Sequence, residues 1–253
     1  MASIVKSSLK KGEKKDGLRK NIQVKKTSKA IYVIGKRAFD IGVSLFVIVF
    51  VLSWLIPILA ILIKLDSRGP VFFVQERVGF LSFNFKCLKL RTMVVNTDSD
   101  SKQASDNDPR ITPLGHFLRM TSLDELPQFF NVLKGEMSIV GPRPFMHSDD
   151  LSFSEVVSNY EIRYYVKPGI TGMAQVKGFR GPTVSFHSIF HRYQWDAFYV
   201  RNCCYSVDFK IIRLTVRQII KSIFSFRITQ TNAINQFNEI GIDVNKFQFD
   251  NIR

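Results

Sequence analysis

The sequence predicts a mostly helical α/β protein held in a membrane. The expected order is an N-terminal re-entrant membrane helix hairpin, then a compact helical domain with short strands and interfacial amphipathic helices. Three observations predict this. Residues 41–63 form a charge-free apolar run of about 23 residues, long enough to span a bilayer. Residues 69–145 carry short alternating runs and short helical stretches, punctuated by glycine. Residues 208–226 place Lys210, Arg213, Arg217 and Lys221 on one helical face, opposite Ile211, Ile212, Thr215, Val216, Ile219, Ile220 and Ile223. A basic stripe against an apolar stripe suits a helix lying in a membrane interface, or a surface helix packed on its own core.

Composition narrows the function. Hydrophobic content of 45% excludes a disordered chain, and 23 phenylalanines suit a chain that meets lipid. A net charge of +15 calls for an anionic partner: nucleic acid, anionic lipid or a phosphorylated substrate. Nucleic acid is disfavoured, because the basic residues are not interleaved with aromatics in a recognisable module. Cys87, Cys203 and Cys204 are odd in number and two are adjacent, which is no disulfide framework and indicates a reducing compartment.

The elements follow in order. Residues 1–35 read as a basic disordered arm that an anionic membrane surface would attract. Residues 36–68 hold the membrane segment. Lys36 and Arg37 precede the apolar run, and Lys64 and Arg68 follow it. Positive flanks favour the cytoplasmic side, so a segment with both flanks basic points to entry and exit through one face, with a simple spanning helix as the alternative. Pro57 removes a helical hydrogen bond and kinks the segment, and Ser53 is placed to bond a freed carbonyl. Residues 69–226 form the main domain. Strands are expected at 71–74 and 83–90 around Gly79, a polar loop at 96–108, and helices at 114–120 and 126–133, the latter capped by Gly135. A glycine-punctuated stretch of loops and short strands follows Pro168-Gly169, then helices at 185–200 and 208–226. Residues 227–253 form a polar tail.

The run Thr121-Ser122-Leu123-Asp124-Glu125-Leu126-Pro127-Gln128 stands out, because paired carboxylates are unexpected in so basic a chain. Two readings compete. Ser122 and Glu125 have the spacing of a capping box. Pro127 opposes that register, and a helix beginning at Asp124 would place it in the first turn instead. An Asp at a helix N-terminus can cap, hold Mg²⁺ or attack phosphorus. Arg77, Lys89, Arg91, Arg110, Arg119 and Arg143 lie in the same unit, Arg143 on the rigid turn Gly141-Pro142-Arg143-Pro144. Phosphoryl transfer needs such positive groups around a nucleophile held in line. His187 and His191 share a helical face but bring no third metal ligand. There is no glycine-rich phosphate loop and no zinc cysteine spacing.

These motifs resemble the bacterial sugar transferases, the monotopic phosphoglycosyl transferases that start lipid-linked glycan assembly. The resemblance runs from Lys36-Arg37-Ala38-Phe39-Asp40 to about residue 220. It includes Gly69-Pro70-Val71-Phe72-Phe73, Lys89-Leu90-Arg91-Thr92-Met93, the Asp124-Glu125 run, Gly135-Glu136-Met137-Ser138 through Pro144, and Lys167-Pro168-Gly169-Ile170-Thr171-Gly172. It implies transfer of a sugar phosphate from a UDP-sugar to polyprenyl (undecaprenyl) phosphate with release of UMP, at the cytoplasmic face of a bacterial inner membrane. Asp124 would be the nucleophile and a Mg²⁺ ligand, and Glu125 its helper. Arg143 would hold substrate phosphate, with Lys89, Arg91 and Arg119 as further anion binders. The family's Ser-Pro helix break is Ser53-Trp54 here, with the proline at Pro57. The absence of a further spanning domain before residue 36 suggests a small catalytic-core form. The competing class is a basic, membrane-bound binding protein without catalysis.

Overall fold

A computed structural model describes residues 29–96, 104–105, 108–181 and 186–239. The expected arm lies outside the described residues over 1–28, as does the polar tail over 240–253 and most of the 96–108 loop. Helix α1 (Lys29–Asp66) is long and apolar enough to cross a membrane by length and composition. Its α geometry gives way to a π turn at Ile48–Leu52, one turn before Pro57. The reason is local. In the wider register the Ser53 N–H bonds Ile48 O, which leaves Val49 O without its usual partner. Ser53 Oγ donates to Val49 O at 2.6 Å, and Trp54 Nε1 donates to Phe50 O at 2.8 Å. Ser53 Oγ therefore replaces the donor that Val49 O loses at the break.

Both ends of α1 rest on the rest of the chain. Near its start, Arg37 donates to Val132 O (2.6 Å) and Leu133 O (2.9 Å), and Asp40 Oδ1 accepts Ile139 N–H. Asp208, buried, accepts from Tyr32 and Lys36, each at 2.8 Å. Near its end, Leu59 and Ile63 pack with Leu90 and Leu118. Between these anchors Leu45, Phe46, Val49, Phe50, Trp54, Ile58 and Ile61 are exposed.

Strands β1 (Phe72–Val78) and β2 (Asn84–Leu90) form an antiparallel hairpin in the register Phe72↔Leu90 to Val78↔Asn84. The turn places Leu81 and Ser82, rather than Gly79, at positive φ. Helix α2 (Pro113–Thr121) is N-capped by Thr112, whose hydroxyl accepts Gly115 N–H, and α3 (Gln128–Lys134) ends at Gly135 with φ 90°, as expected for a left-handed cap. Strands β3 (Ser138–Val140) and β4 (Gly169–Thr171) pair in parallel. Glycine is required there: a Cβ on Gly141 would collide with Lys167 O, and one on Gly169 with Gly141 N. Helices α4 (His147–Val156), α5 (Met173–Val176), α6 (Phe186–Asn202) and α7 (Tyr205–Glu239) complete the order. Phe85, Val132, Met137, Val140, Tyr199 and Ile211 form the main core.

Helix α7 shows three faces rather than the two expected. Asp208 and Ile211 are buried, with Ile212, Thr215 and Ile219 half-buried beside them. Phe209, Val216, Ile220, Ile223 and Phe224 form a separate exposed apolar stripe, beside exposed Lys210, Arg213, Arg217 and Lys221. Isoleucine serves both the core face and the outer face, so the sequence pattern merged them.

Candidate active site

Ser122 ends α2 in the left-handed conformation (φ 61°), and a 3₁₀ turn, Leu123–Glu125, follows directly. The acidic pair sits on this turn. The helix expected from Asp124 begins instead at Gln128, with Pro127 at its N-cap. No side chain caps either element, so the capping-box reading fails. The reversal at Ser122 and the rigid φ of Pro127 hold the pair between them. Both carboxylates are buried, at 8% and 7% exposure.

The two acids have opposite surroundings. Glu125 Oε1 accepts from Arg143 Nη2 at 2.7 Å, and Lys89 Nζ stands 4.0 Å away. Asp124 makes no hydrogen bond or ion pair among the described residues, and it lines an open cleft of about 760 Å³. Burial raises the Asp124 pKa, the Glu125 charge raises it further, and it reaches about 6 despite Lys89, Arg119 and Arg143. Burial also pushes Glu125 up, but the charges of Arg143 and Lys89 outweigh it and hold that carboxyl well below the usual range. Lys89 is lowered to about 8, first by burial and then by Arg77 and Arg143.

The cleft brings together most of the residues singled out from sequence. Lys89, Arg119 and Arg143 line it with the acidic pair. Arg119 Nε donates to Thr92 Oγ1 at 2.8 Å. Arg91 also borders the cleft, but both of its Nη atoms are engaged elsewhere. It donates to the carbonyls of Arg68, Ser67 (2.7 Å) and Ile63 (3.3 Å) at the end of α1. Ile63 O also accepts Ser67 N–H, so Arg91 chiefly secures the carbonyls of Ser67 and Arg68, just past the helix end. Arg91, expected as an anion binder, thus holds the end of α1 while bordering the cleft.

Two arginines were missed. Arg180 lines the cleft and donates to Ser122 Oγ at 2.6 Å, and Arg192 lines it while donating to Gly181 O at 2.6 Å. The glycines flanking Phe179-Arg180 were the available signal. His187 and His191 meet at 2.9 Å on an exposed face, and no cluster of three or more metal-capable residues exists among the described residues. That excludes an all-protein cage there, but Mg²⁺ needs only one or two carboxylates beside waters and phosphate oxygens. Asp124, buried at the cleft with its oxygens uncommitted, fits such an ion.

A buried, asymmetrically charged acid pair thus lies in a basic cleft, in a chain whose first helix is long and apolar enough to cross a membrane. The family model for bacterial sugar transferases matches residues 31–222, and the chain belongs to that family. The chain is 44% identical over 187 residues to the UDP-glucose:undecaprenyl-phosphate glucose-1-phosphate transferase of Klebsiella pneumoniae, covering 74% of this chain and 40% of that protein. It is 40% identical over 186 residues to the protein of the same name from Caulobacter vibrioides, covering 73% and 69%. It is 44% identical over 188 residues to the exopolysaccharide production protein PSS of Rhizobium leguminosarum bv. phaseoli, covering 72% and 92%. The chain thus spans about two fifths of the Klebsiella relative's length and about nine tenths of the Rhizobium one.

Proposed function

We propose that this protein transfers a sugar phosphate from a UDP-sugar to polyprenyl phosphate and releases UMP, the activity that the names of its UDP-glucose:undecaprenyl-phosphate relatives describe. The observation that carries the reading is the division within the acid pair. Glu125 is neutralised by Arg143 and Lys89, while Asp124 faces the cleft with no partner among the described residues.

The reaction then runs as two displacements. An Asp124 oxygen attacks the phosphorus bearing the sugar, the bond to the bridging oxygen breaks, and UMP leaves with that electron pair. A phosphate oxygen of the lipid then attacks the same phosphorus and displaces Asp124, regenerating the carboxylate. Arg143 and Lys89 hold Glu125 ionised and offset charge on the diphosphate, and Arg119 and Arg180 add positive potential at the cleft. Mg²⁺ held by Asp124 would supply further neutralisation of the diphosphate. Above pH 6 Asp124 is mostly ionised and ready to attack.

The location follows from α1. Its two basic flanks both bond to one domain, whereas a straight span would part them by the thickness of a bilayer core, about 30 Å. We read α1 as a re-entrant hairpin bent at the π turn, with its exposed apolar middle in lipid. The outer stripe of α7 would lie in the interface at the cytoplasmic face of the inner membrane. Purified full-length chain with polyprenyl phosphate, Mg²⁺ and a panel of UDP-sugars should release UMP with at least one sugar, and Asp124→Asn should abolish it. Release that survives Asp124→Asn would defeat the reading. Cysteines introduced at positions 30 and 70 should label from one side of the membrane; labelling from opposite sides would exclude the hairpin.

A further inference from the structure

The turn that carries Arg143 is held almost wholly by its backbone. Pro142 and Pro144 have no N–H, so the turn is fixed chiefly through its carbonyls. Gly141 N–H bonds Thr171 O and Pro142 O accepts Gly169 N–H, both at 2.9 Å. Pro144 O accepts Arg77 Nη1 at 2.7 Å. The carbonyl of Arg143 itself accepts Arg163 Nη2 at 2.6 Å.

Arg163 is far from the acid pair in sequence, and the mechanism above does not use it. It is buried at 5% exposure, and each of its three nitrogens is committed. Nε donates to Asp196 Oδ2 at 2.9 Å, and Nη1 donates to Tyr160 OH at 2.7 Å and lies 3.6 Å from Asp150 Oδ1. Its carbon stands 4.6 Å from the centroid of the Phe145 ring, two residues beyond Arg143. Asp196 is 1% exposed on α6. The guanidinium therefore links a buried carboxylate on α6 to the backbone under the arginine that grips Glu125. A structural ion pair alone would need only Asp196. The third arm, directed at one carbonyl of the Pro-Arg-Pro turn, is what lysine lacks.

We propose that Arg163 is a positioning residue for the reaction: it fixes the backbone beneath Arg143 and so sets the distance from that guanidinium to Glu125. This rests on the reading of Arg143 and Glu125 given above. With Arg163 replaced, Arg143 drifts and its bond to Glu125 weakens, so the loss falls on kcat rather than on KM.

A double-mutant cycle tests this with the full-length protein, UDP-sugar and polyprenyl phosphate. Arg163→Lys should lower kcat/KM by about 30-fold, the scale of a small misplacement of a catalytic group, with most of the loss in kcat. In an Arg143→Gln background the same change should cost no more than about twofold, because the residue it serves is gone. Asp196→Asn keeps an acceptor for Arg163 and should act in the same direction more weakly; it carries the cycle if Arg163→Lys does not fold. Equal losses in both backgrounds, or a loss confined to KM, would show a merely structural role and overturn the inference. An Arg143→Gln enzyme as active as the wild type would overturn the site reading itself.

Discussion

Replacing Asp124 with asparagine should make the protein more stable while abolishing its activity. The folded state holds this carboxyl at about 6 against an ordinary 3.8, a rise of about 2 pH units caused first by burial and then by Glu125. At about 1.4 kcal/mol per unit, the ionised group destabilises the folded state by about 3 kcal/mol at neutral pH. Asparagine removes that charge but brings a buried amide without a partner, which takes back about 1 kcal/mol. The net gain is about 2 kcal/mol, or a Tm increase of about 4–8 °C for a domain of this size. A raised acid pKa destabilises fully above the folded value, and the effect fades as pH falls from about 6 toward the unfolded value near 4. The gain should therefore be present at pH 7.5 and nearly absent at pH 4.5. Thermal unfolding of both proteins in detergent with chelator, at the two pH values, measures it. If Asp124→Asn melts below the wild type at pH 7.5, or differs by the same margin at both pH values, the account of Asp124 as a strained, uncommitted carboxylate is wrong.

The partner acid should behave in the opposite way. Glu125→Gln leaves Arg143 and Lys89 buried without their counter-charge and should cost about 3 kcal/mol at pH 7, again read as a Tm shift. Glu125 is depressed, so its stabilisation is present above the ordinary glutamate range and is lost only under strong acid. The pH profile of kcat/KM for UDP-sugar should be bell-shaped, rising through about 6 as Asp124 ionises and falling above about 8 as Lys89 loses its proton. A profile flat from pH 5 to 9 would contradict both assignments. Arg91→Leu should lower stability by about 2–4 kcal/mol, because it strips donors from the end of α1, while KM for UDP-sugar changes less than about threefold. A large KM effect with unchanged stability would return Arg91 to the substrate.

The sequence was most legible where pattern is local. The charge-free run at 41–63, the alternation of 83–90, the Gly135 cap and the proline-flanked Arg143 all announce themselves over a few residues. The acid pair was conspicuous against a basic background, but its register was misplaced. Ser122 takes a left-handed conformation that glycine or asparagine would have signalled and serine does not. Strands β3 and β4 have three residues each and find each other across 31 positions, so no local alternation marks them. Arg163 and Asp196 look like surface charges in sequence; only the fold buries them against each other. Arg91 alternates with Lys89 on one strand, yet α1 ends beside it and claims its donors.

If Asp124 attacks phosphorus, UMP leaves before any lipid is present. The deciding measurement incubates the full-length chain with UDP-sugar and Mg²⁺ but no lipid acceptor, followed by quantified UMP release and mass spectrometry of the digested protein. A burst of about one UMP per chain is expected. A sugar-phosphate adduct should appear on the peptide containing Asp124, and added polyprenyl phosphate should discharge it. UMP release that requires the lipid from the outset, with no adduct on that peptide, would refute attack by Asp124.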